Sequence, residues 1–278
     1  MAMPWAMNNK WLKKQLGWYL YQRRDLSRAR LIHVTAESER VALRSRGIDR
    51  PMIVAPLGVQ IDASNRGDSD RCQKSREGRK IMLFVSRVQR KKGLADLVRA
   101  WARLKQAQPV LCQDWCIRIV GPDEENHTAE LKSLCDKLRI AWISSTERVD
   151  FSLAGPDVVF VGPKYGEALK EEYAGADLFV FPTYCENFGS VVIESLAQGT
   201  PVVCSKGAPW AVLEKEQCGW WVDVGAEPLR EGLRRAMSIS DEERNAMGRK
   251  GREFVRRAYT WEAVGAELMQ AYETVLSC

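Results

Sequence analysis

Two carboxylates, Glu186 and Glu194, stand eight residues apart in the stretch Glu186-Asn187-Phe188-Gly189-Ser190-Val191-Val192-Ile193-Glu194-Ser195-Leu196-Ala197-Gln198-Gly199-Thr200-Pro201. The stretch follows an apolar run ending at Pro182, turns at Gly189 and enters a short helix that stops at Gly199. At a rise of about 1.5 Å per helical residue, the interval between the two acids is on the order of 10 Å. A carboxylate accepts hydrogen bonds from a pair of vicinal hydroxyls, and the N–H groups of Gly189, Ser190 and Val191 lie where they can face phosphates. The span therefore suits the two ends of a nucleotide diphosphate sugar. Taken singly, Glu194 reads as a surface helix residue and Glu186 as a helix-terminal charge.

A second group is cationic. Ser86-Arg87-Val88-Gln89-Arg90-Lys91-Lys92-Gly93 places four positive side chains just before a helix that starts near Leu94. Unpaired N–H groups and the positive end of the helix dipole favour a doubly charged phosphate there, and a diphosphate where two of the cations converge. By itself the same loop reads as a solvated basic segment. Neither Gly-x-x-x-x-Gly-Lys-Ser/Thr nor Gly-x-Gly-x-x-Gly occurs, so an ATPase P-loop and a dinucleotide fingerprint are both excluded.

These loops need a scaffold, and the pattern beyond residue 80 supplies one. Apolar runs near Ile81–Ser86, Cys116–Val120, Val158–Val161, Leu178–Pro182, Pro201–Cys204 and Trp220–Val222 read as strands. Helical segments alternate with them near Leu94–Lys105, Thr128–Leu138, Glu167–Ala174, Ser190–Ala197, Trp210–Glu216 and Pro228–Ser238, and helices at Asp241–Ala258 and Trp261–Leu276 follow. Continuous apolar strands separated by helices predict an α/β fold: a doubly wound parallel sheet with helices on both faces, plus a partial, largely helical N-terminal segment. Ligands in such a sheet sit beyond the carboxyl ends of the strands. Residues 1–60 form the N-terminal segment, 61–80 a polar linker, and 81–278 the sheet domain.

The 278 residues carry 42 Lys and Arg against 36 Asp and Glu, a net charge of +6. Residues 1–50 hold eleven of the cations and four of the acids, a net of +7, which leaves −1 for the rest. No basic track continues beyond them, which argues against nucleic acid as a partner. Within residues 10–30, Leu12, Leu16 and Leu20 recur at helical spacing among Trp11, Trp18, Tyr19, Tyr21, Lys13, Lys14, Arg23, Arg24 and Arg28. Such a helix fits either an anionic membrane surface or a core with a solvated basic edge. No apolar run reaches the roughly 20 residues that cross a bilayer. A cytoplasmic protein, peripheral on the inner face of the membrane if that helix binds lipid, is the expectation. Eight scattered cysteines and two histidines show no metal-ligand spacing, which points to reduced, mostly buried thiols and to no cofactor and no metal.

The central motif, with Phe84-Val85-Ser86-Arg87 through Lys92-Gly93, Ile119-Val120-Gly121-Pro122, Phe160-Val161-Gly162-Pro163 and Ala176-Asp177-Leu178-Phe179-Val180, resembles the family 4 glycosyltransferases, retaining enzymes of GT-B fold. The resemblance covers residues 30–278. It implies that Arg87, Lys92 and Glu186 are catalytic: the two cations on the donor diphosphate, Glu186 on the transferred sugar. It gives Glu194 the ribose, lets Gly121, Pro122, Gly162 and Pro163 flank the base, and completes the donor site with Ser86, Phe188, Gly189, Ser190 and Val191. Ser86 stands where many relatives have Gly. Trp210 and Gly219-Trp220-Trp221 resemble bacterial lipopolysaccharide and capsule enzymes.

The family has two Rossmann-like domains with the active site between them, and residues 1–60 match only the end of the first, acceptor-side one. His33 matches no catalytic position. The leading expectation is a metal-independent hexosyltransferase moving sugar from a nucleotide diphosphate sugar to a glycan or lipid-linked acceptor in cell-surface polysaccharide synthesis. A noncatalytic nucleotide-sugar-binding or partner subunit, whose acceptor half comes from another chain or has been lost, is the alternative. A nucleotide-sugar epimerase is disfavoured by the Glu186 and Glu194 spacing and by the lack of an acid/base histidine.

Overall fold

The computed structural model describes residues 11–61, 78–146 and 155–277. Seven parallel strands form one sheet: β3 (Lys80–Val85), β4 (Trp115–Val120), β5 (Trp142–Ser144), β6 (Val158–Gly162), β7 (Leu178–Phe181), β8 (Val202–Ser205) and β9 (Gly219–Val222). Their spatial order is β5-β6-β4-β3-β7-β8-β9. From β3 the chain steps to one side through β4, and after β6 it crosses back to lay β7 against the other flank of β3, with Met82 opposite Leu178 and Leu83 opposite Phe179. The gap between the carboxyl ends of β3 and β7 is thus the topological switch point, where this architecture opens a crevice.

The central strands are buried along their length, β4 and β7 at every residue. Both faces of the sheet must therefore be covered, which is why these strands read as unbroken apolar runs. Helices after β3 and after β7 follow crossovers that step in opposite directions, and a right-handed crossover sends them to opposite faces. The helix Leu94–Ala107 packs with Ala226–Ser238, and Ser190–Ala197 packs with Asp241–Ala258. Asp241–Ala258 begins in a capping box in which Ser240 and Glu243 satisfy each other's backbone N–H groups. The six described cysteines are free and buried, as expected, and burial raises their thiol pKa, to about 12 for Cys116 and Cys135.

Three elements escape the sequence pattern. β5 is a three-residue edge strand with no residue fully buried, so it carries too few apolar positions to signal itself. The short helices Glu37–Arg44 and Pro109–Gln113 also lay outside the expectation. Conversely, the helix expected over Trp210–Glu216 is confined to Val212–Lys215.

The N-terminal region has a small core of its own. One continuous helix runs through Trp11–Gly17, Trp18–Gln22 and Arg23–Arg28, with a π-turn in its middle. Strands β1 (Ile32–Val34) and β2 (Met52–Val54) pair in parallel around Glu37–Arg44, a βαβ unit. Trp18, Ile32, Val34, Leu43 and Ile48 are buried together. The helix thus divides its aromatic residues: Trp18 packs inward under the Arg46 guanidinium, whereas Leu12, Leu16, Tyr19, Leu20 and Tyr21 are exposed. His33 Nε2 donates to the Ala55 carbonyl at 2.7 Å, a structural duty. Of the expected linker, residues 62–77 lie outside the described residues. Its ends belong to the sheet domain, Ile61 packing on the main core and Arg79 donating to the Gly155, Pro156 and Trp115 carbonyls. Among the described residues no helix is long and apolar enough to cross a membrane.

Close approach at the switch point depends on Gly93. It has φ +71°, and a Cβ there would lie 2.0 Å from the Pro182 carbonyl oxygen. Gly47 has φ +77° with open space around it. Gly93→Ala should therefore cost about 2 kcal/mol or more, lowering the thermal midpoint by about 4 °C or more, and Gly47→Ala about 1 kcal/mol. Equal losses in thermal unfolding of the two variants would contradict a packing constraint at Gly93.

Candidate active site

The loop after β3 tightens into a 3₁₀ turn, Arg90–Lys92, and Gly93 in the left-handed region releases it into the helix Leu94–Ala107. That geometry turns Lys92 inward, and it is one of the few buried charged residues of the chain. Its ammonium meets the carboxylate of Glu186, which arrives in the loop after β7, and also lies 5.1 Å from the Phe181 ring centre. Burial pulls the Lys92 pKa below its ordinary value, and the hydrogen bond and charge of Glu186 oppose that pull. Lys91 Nζ lies 4.0 Å from the other oxygen of Glu186. The two cations that converge are thus Lys91 and Lys92, around one carboxylate, whereas Arg87 pairs with Glu124.

The two loops are fastened at further points. Tyr184 N–H donates to the Lys91 carbonyl at 2.9 Å, and Thr183 Oγ1 donates to the same oxygen at 3.3 Å. The Tyr184 hydroxyl donates to Asp96 at 2.9 Å, and burial, aided by that bond, pushes the phenol up to about 12. Glu186 N–H donates to the Gly207 carbonyl at 2.7 Å, and a Cβ on Gly207 would lie 2.0 Å from the Thr183 oxygen. A third loop thus holds Glu186 from behind.

Gly189, with φ +81°, turns the chain into Ser190–Ala197, whose N-cap makes no side-chain bond to the first-turn N–H groups. Those of Ser190 and Val191 lack intrahelical carbonyls, as the start of any helix does. Phe188 is packed inward. Its ring is buried 5.1 Å from Trp210 and 6.0 Å from Tyr259, and its carbonyl accepts Trp210 Nε1–H at 2.6 Å. Its part in the site is to brace the glycine turn. Trp210 and Trp220 are themselves core residues, so the tryptophans that resemble lipopolysaccharide enzymes do packing work. Glu194 is half-buried on the helix, and its Oε2 accepts the Tyr173 hydroxyl at 2.8 Å.

On the other flank of β3, over the ends of β4, β5 and β6, lies an open cleft of about 600 Å³. Gly121, Gly162 and Pro163 line it with Val88, Phe160 and a rim of hydroxyls that includes Ser144 and Thr128. Pro122 stands outside it, its carbonyl accepting Val88 N–H at 2.8 Å. Gly121, at φ +146°, passes so close to Ser86 that a Cβ would meet the Ser86 oxygen at 1.9 Å. Arg87, exposed, pairs with Glu124 at 3.0 Å. The expected residues therefore line the carboxyl edge of the sheet in two adjoining groups: Gly121, Gly162 and Pro163 at the cleft, and Lys92, Glu186 and Gly189 across β3. Sequence reasoning missed Tyr173, Asp96, Glu124 and Gly207. They reach the site through tertiary contacts 21 to 88 residues long, which no local spacing signals.

Among the described residues, no group of three or more His, Cys, Asp or Glu side chains could hold a metal ion. The chain's one Asp-x-Asp triplet, Asp68-Ser69-Asp70, falls outside them.

The chain is 30% identical over 199 residues to a D-inositol 3-phosphate glycosyltransferase of Salinispora tropica, 69% of this chain and 38% of that protein. A sucrose-phosphate synthase from Thermosynechococcus elongatus superposes with a TM-score of 0.73 at 25% identity, over 92% of this chain and 61% of that one. HepE of Anabaena, solved in complex with UDP and glucose, superposes with a TM-score of 0.69 at 20% identity, over 90% and 64%. The chain spans about 38% to 53% of the length of the curated relatives it matches. Residues 66–254, more than half of the chain, match the family described as glycosyl transferases group 1. The chain belongs to the group 1 glycosyl transferases.

Proposed function

We propose that the chain binds a nucleotide diphosphate sugar along the carboxyl edge of its sheet and serves as the donor side of a hexosyltransferase. The observation that carries this reading is the buried Lys92 ammonium facing Glu186 across the switch point, beside the cleft and the Ser190–Ala197 helix start. The base lies in the cleft between Gly121 and Gly162, the diphosphate at Arg87, Lys92 and the N–H groups of Gly189 to Val191, the ribose at Glu194 and the sugar at Glu186. Cleavage of the bond between the anomeric carbon and the diphosphate oxygen puts negative charge on the leaving phosphate. Fixed cations and a helix start stabilise that charge more than the ground state. No step needs a metal ion, and retention of configuration is what the family resemblance implies.

The acceptor is a glycan or lipid-linked sugar of the cell surface in this reading. It rests on the resemblance of Trp210 and Gly219–Trp221, and the burial of Trp210 and Trp220 lends it no support from acceptor contact. The curated relative is named for D-inositol 3-phosphate and a structural relative for sucrose phosphate, so phosphorylated polyols and sugars form the second acceptor class. The acceptor half comes from elsewhere than residues 1–60, in the same polypeptide or in a partner chain. Exposed Leu12, Leu16, Tyr19 and Leu20 beside Arg23 and Arg24 support peripheral contact with an anionic, cytoplasmic membrane face. Flotation with anionic vesicles, lost on Leu16→Asp with Leu20→Asp, is the expected result. Flotation unchanged in that variant, or absent in the parent chain, contradicts it.

The donor assignment is tested by thermal shift against UDP-, GDP-, ADP- and CMP-sugars. One nucleotide class should raise the midpoint of the parent chain, and Lys92→Ala and Glu194→Ala should each abolish the rise. A shift that survives both substitutions contradicts the assignment. No shift with any class also contradicts it and favours a noncatalytic partner subunit.

A further inference from the structure

Glu194 is not held by its own helix. Its Oε2 accepts from the hydroxyl of Tyr173, which lies on the helix Gly166–Gly175 that leads into β7, and the oxygens are 2.8 Å apart. Tyr173 is only 3% exposed. Its ring packs against Phe179 of β7 with centroids 5.7 Å apart, and its carbonyl accepts the Thr200 hydroxyl at 3.1 Å. Ser195, next to Glu194, donates to the Thr200 carbonyl at 3.1 Å. The tyrosine is therefore pinned from the strand before the helix Ser190–Ala197 and from the turn after it. Its hydroxyl is the one protein hydrogen-bond partner of the Glu194 carboxylate among the described residues, and Oε1 has none.

A glutamate on a half-exposed helix face samples many rotamers, and fixing it before a ligand arrives lowers the entropy lost on binding. Burial and the Glu194 charge hold the Tyr173 phenol well above its ordinary pKa, so it stays a donor through the neutral range. A carboxylate with one oxygen occupied by a fixed donor and the other open is arranged to accept from a diol on its open side.

We infer that Tyr173 is a positioning residue for the donor site: its hydroxyl fixes Oε2 of Glu194 so that Oε1 is presented to the ribose hydroxyls of the nucleotide. The inference rests on the proposed donor site and adds to it a residue that touches no ligand. It makes ribose recognition depend on the helix Gly166–Gly175 as well as on the motif that carries Glu194.

Calorimetric binding of UDP, GDP and ADP, each beside its 2′,3′-dideoxy counterpart, separates positioning from mere stability. The parent chain should bind one ribonucleotide at least about tenfold more tightly than its dideoxy form, the size of one good hydrogen bond. Tyr173→Phe should lose about tenfold for the ribonucleotide while the dideoxy affinity stays constant. Glu194→Ala should bind both forms alike, and adding Tyr173→Phe to it should change neither. Equal losses for both forms in Tyr173→Phe, or no loss, would overturn the inference. A parent chain that binds a ribonucleotide without discriminating would overturn it and leave the donor site standing. A parent chain that binds no nucleotide would overturn both.

Discussion

Taking an ammonium out of water costs several kcal/mol unless a counter-charge meets it, and among the described residues Glu186 is the one acid that meets Lys92 closely. Much of the surrounding geometry serves that meeting. Gly93 lets the turn after β3 press against Pro182, the Lys91 carbonyl collects two bonds from the loop after β7, and Gly207 holds the Glu186 backbone. Because β3 and β7 are neighbours that the chain reaches by leaving in one direction and returning in the other, their loops are brought together only by the completed sheet. In the proposed reaction the donor diphosphate takes over the neutralisation of Lys92 and frees Glu186 to accept from the sugar.

In the proposed reading the same edge of the sheet separates base recognition from chemistry. The cleft over β4, β5 and β6 is lined by glycines and hydroxyls and is open, which suits a flat base held by backbone and rim contacts. The cations and acids lie on the other side of β3, where the walls are buried and the local dielectric is low, so charges act more strongly there. Arg87, next to the cleft residue Val88, is paired with Glu124.

Legibility in the sequence followed burial and locality. Strands covered on both faces, such as Trp115–Val120 and Leu178–Phe181, announce themselves as apolar runs, and the glycine turn before Ser190 announces the motif helix. The edge strand Trp142–Ser144 has too little buried surface to do so. Residue types told that Glu186 and Lys92 could serve one ligand, but not that they meet each other, since 94 positions separate them. Tyr173 and Glu124 stayed hidden for the same reason. In the first helix the composition left a membrane surface and a core both open. The structure sends Trp18 inward and leaves the leucines out, because one side of the helix covers a small βαβ unit. Phe188 and Trp210 show that residues inside or near a motif also brace it from behind, a packing duty that the motif does not signal.

The most direct test of this account is a crystal structure of the chain with UDP, or with whichever nucleoside diphosphate raises its melting point. The account predicts the diphosphate between Lys92 and the N–H groups of Gly189 to Val191, with the Lys92 to Glu186 contact loosened, the base in the cleft beside Gly121 and Gly162, and the ribose hydroxyls on Glu194. A nucleotide bound elsewhere, or bound with Lys92 and Glu186 still closed on each other, would contradict it.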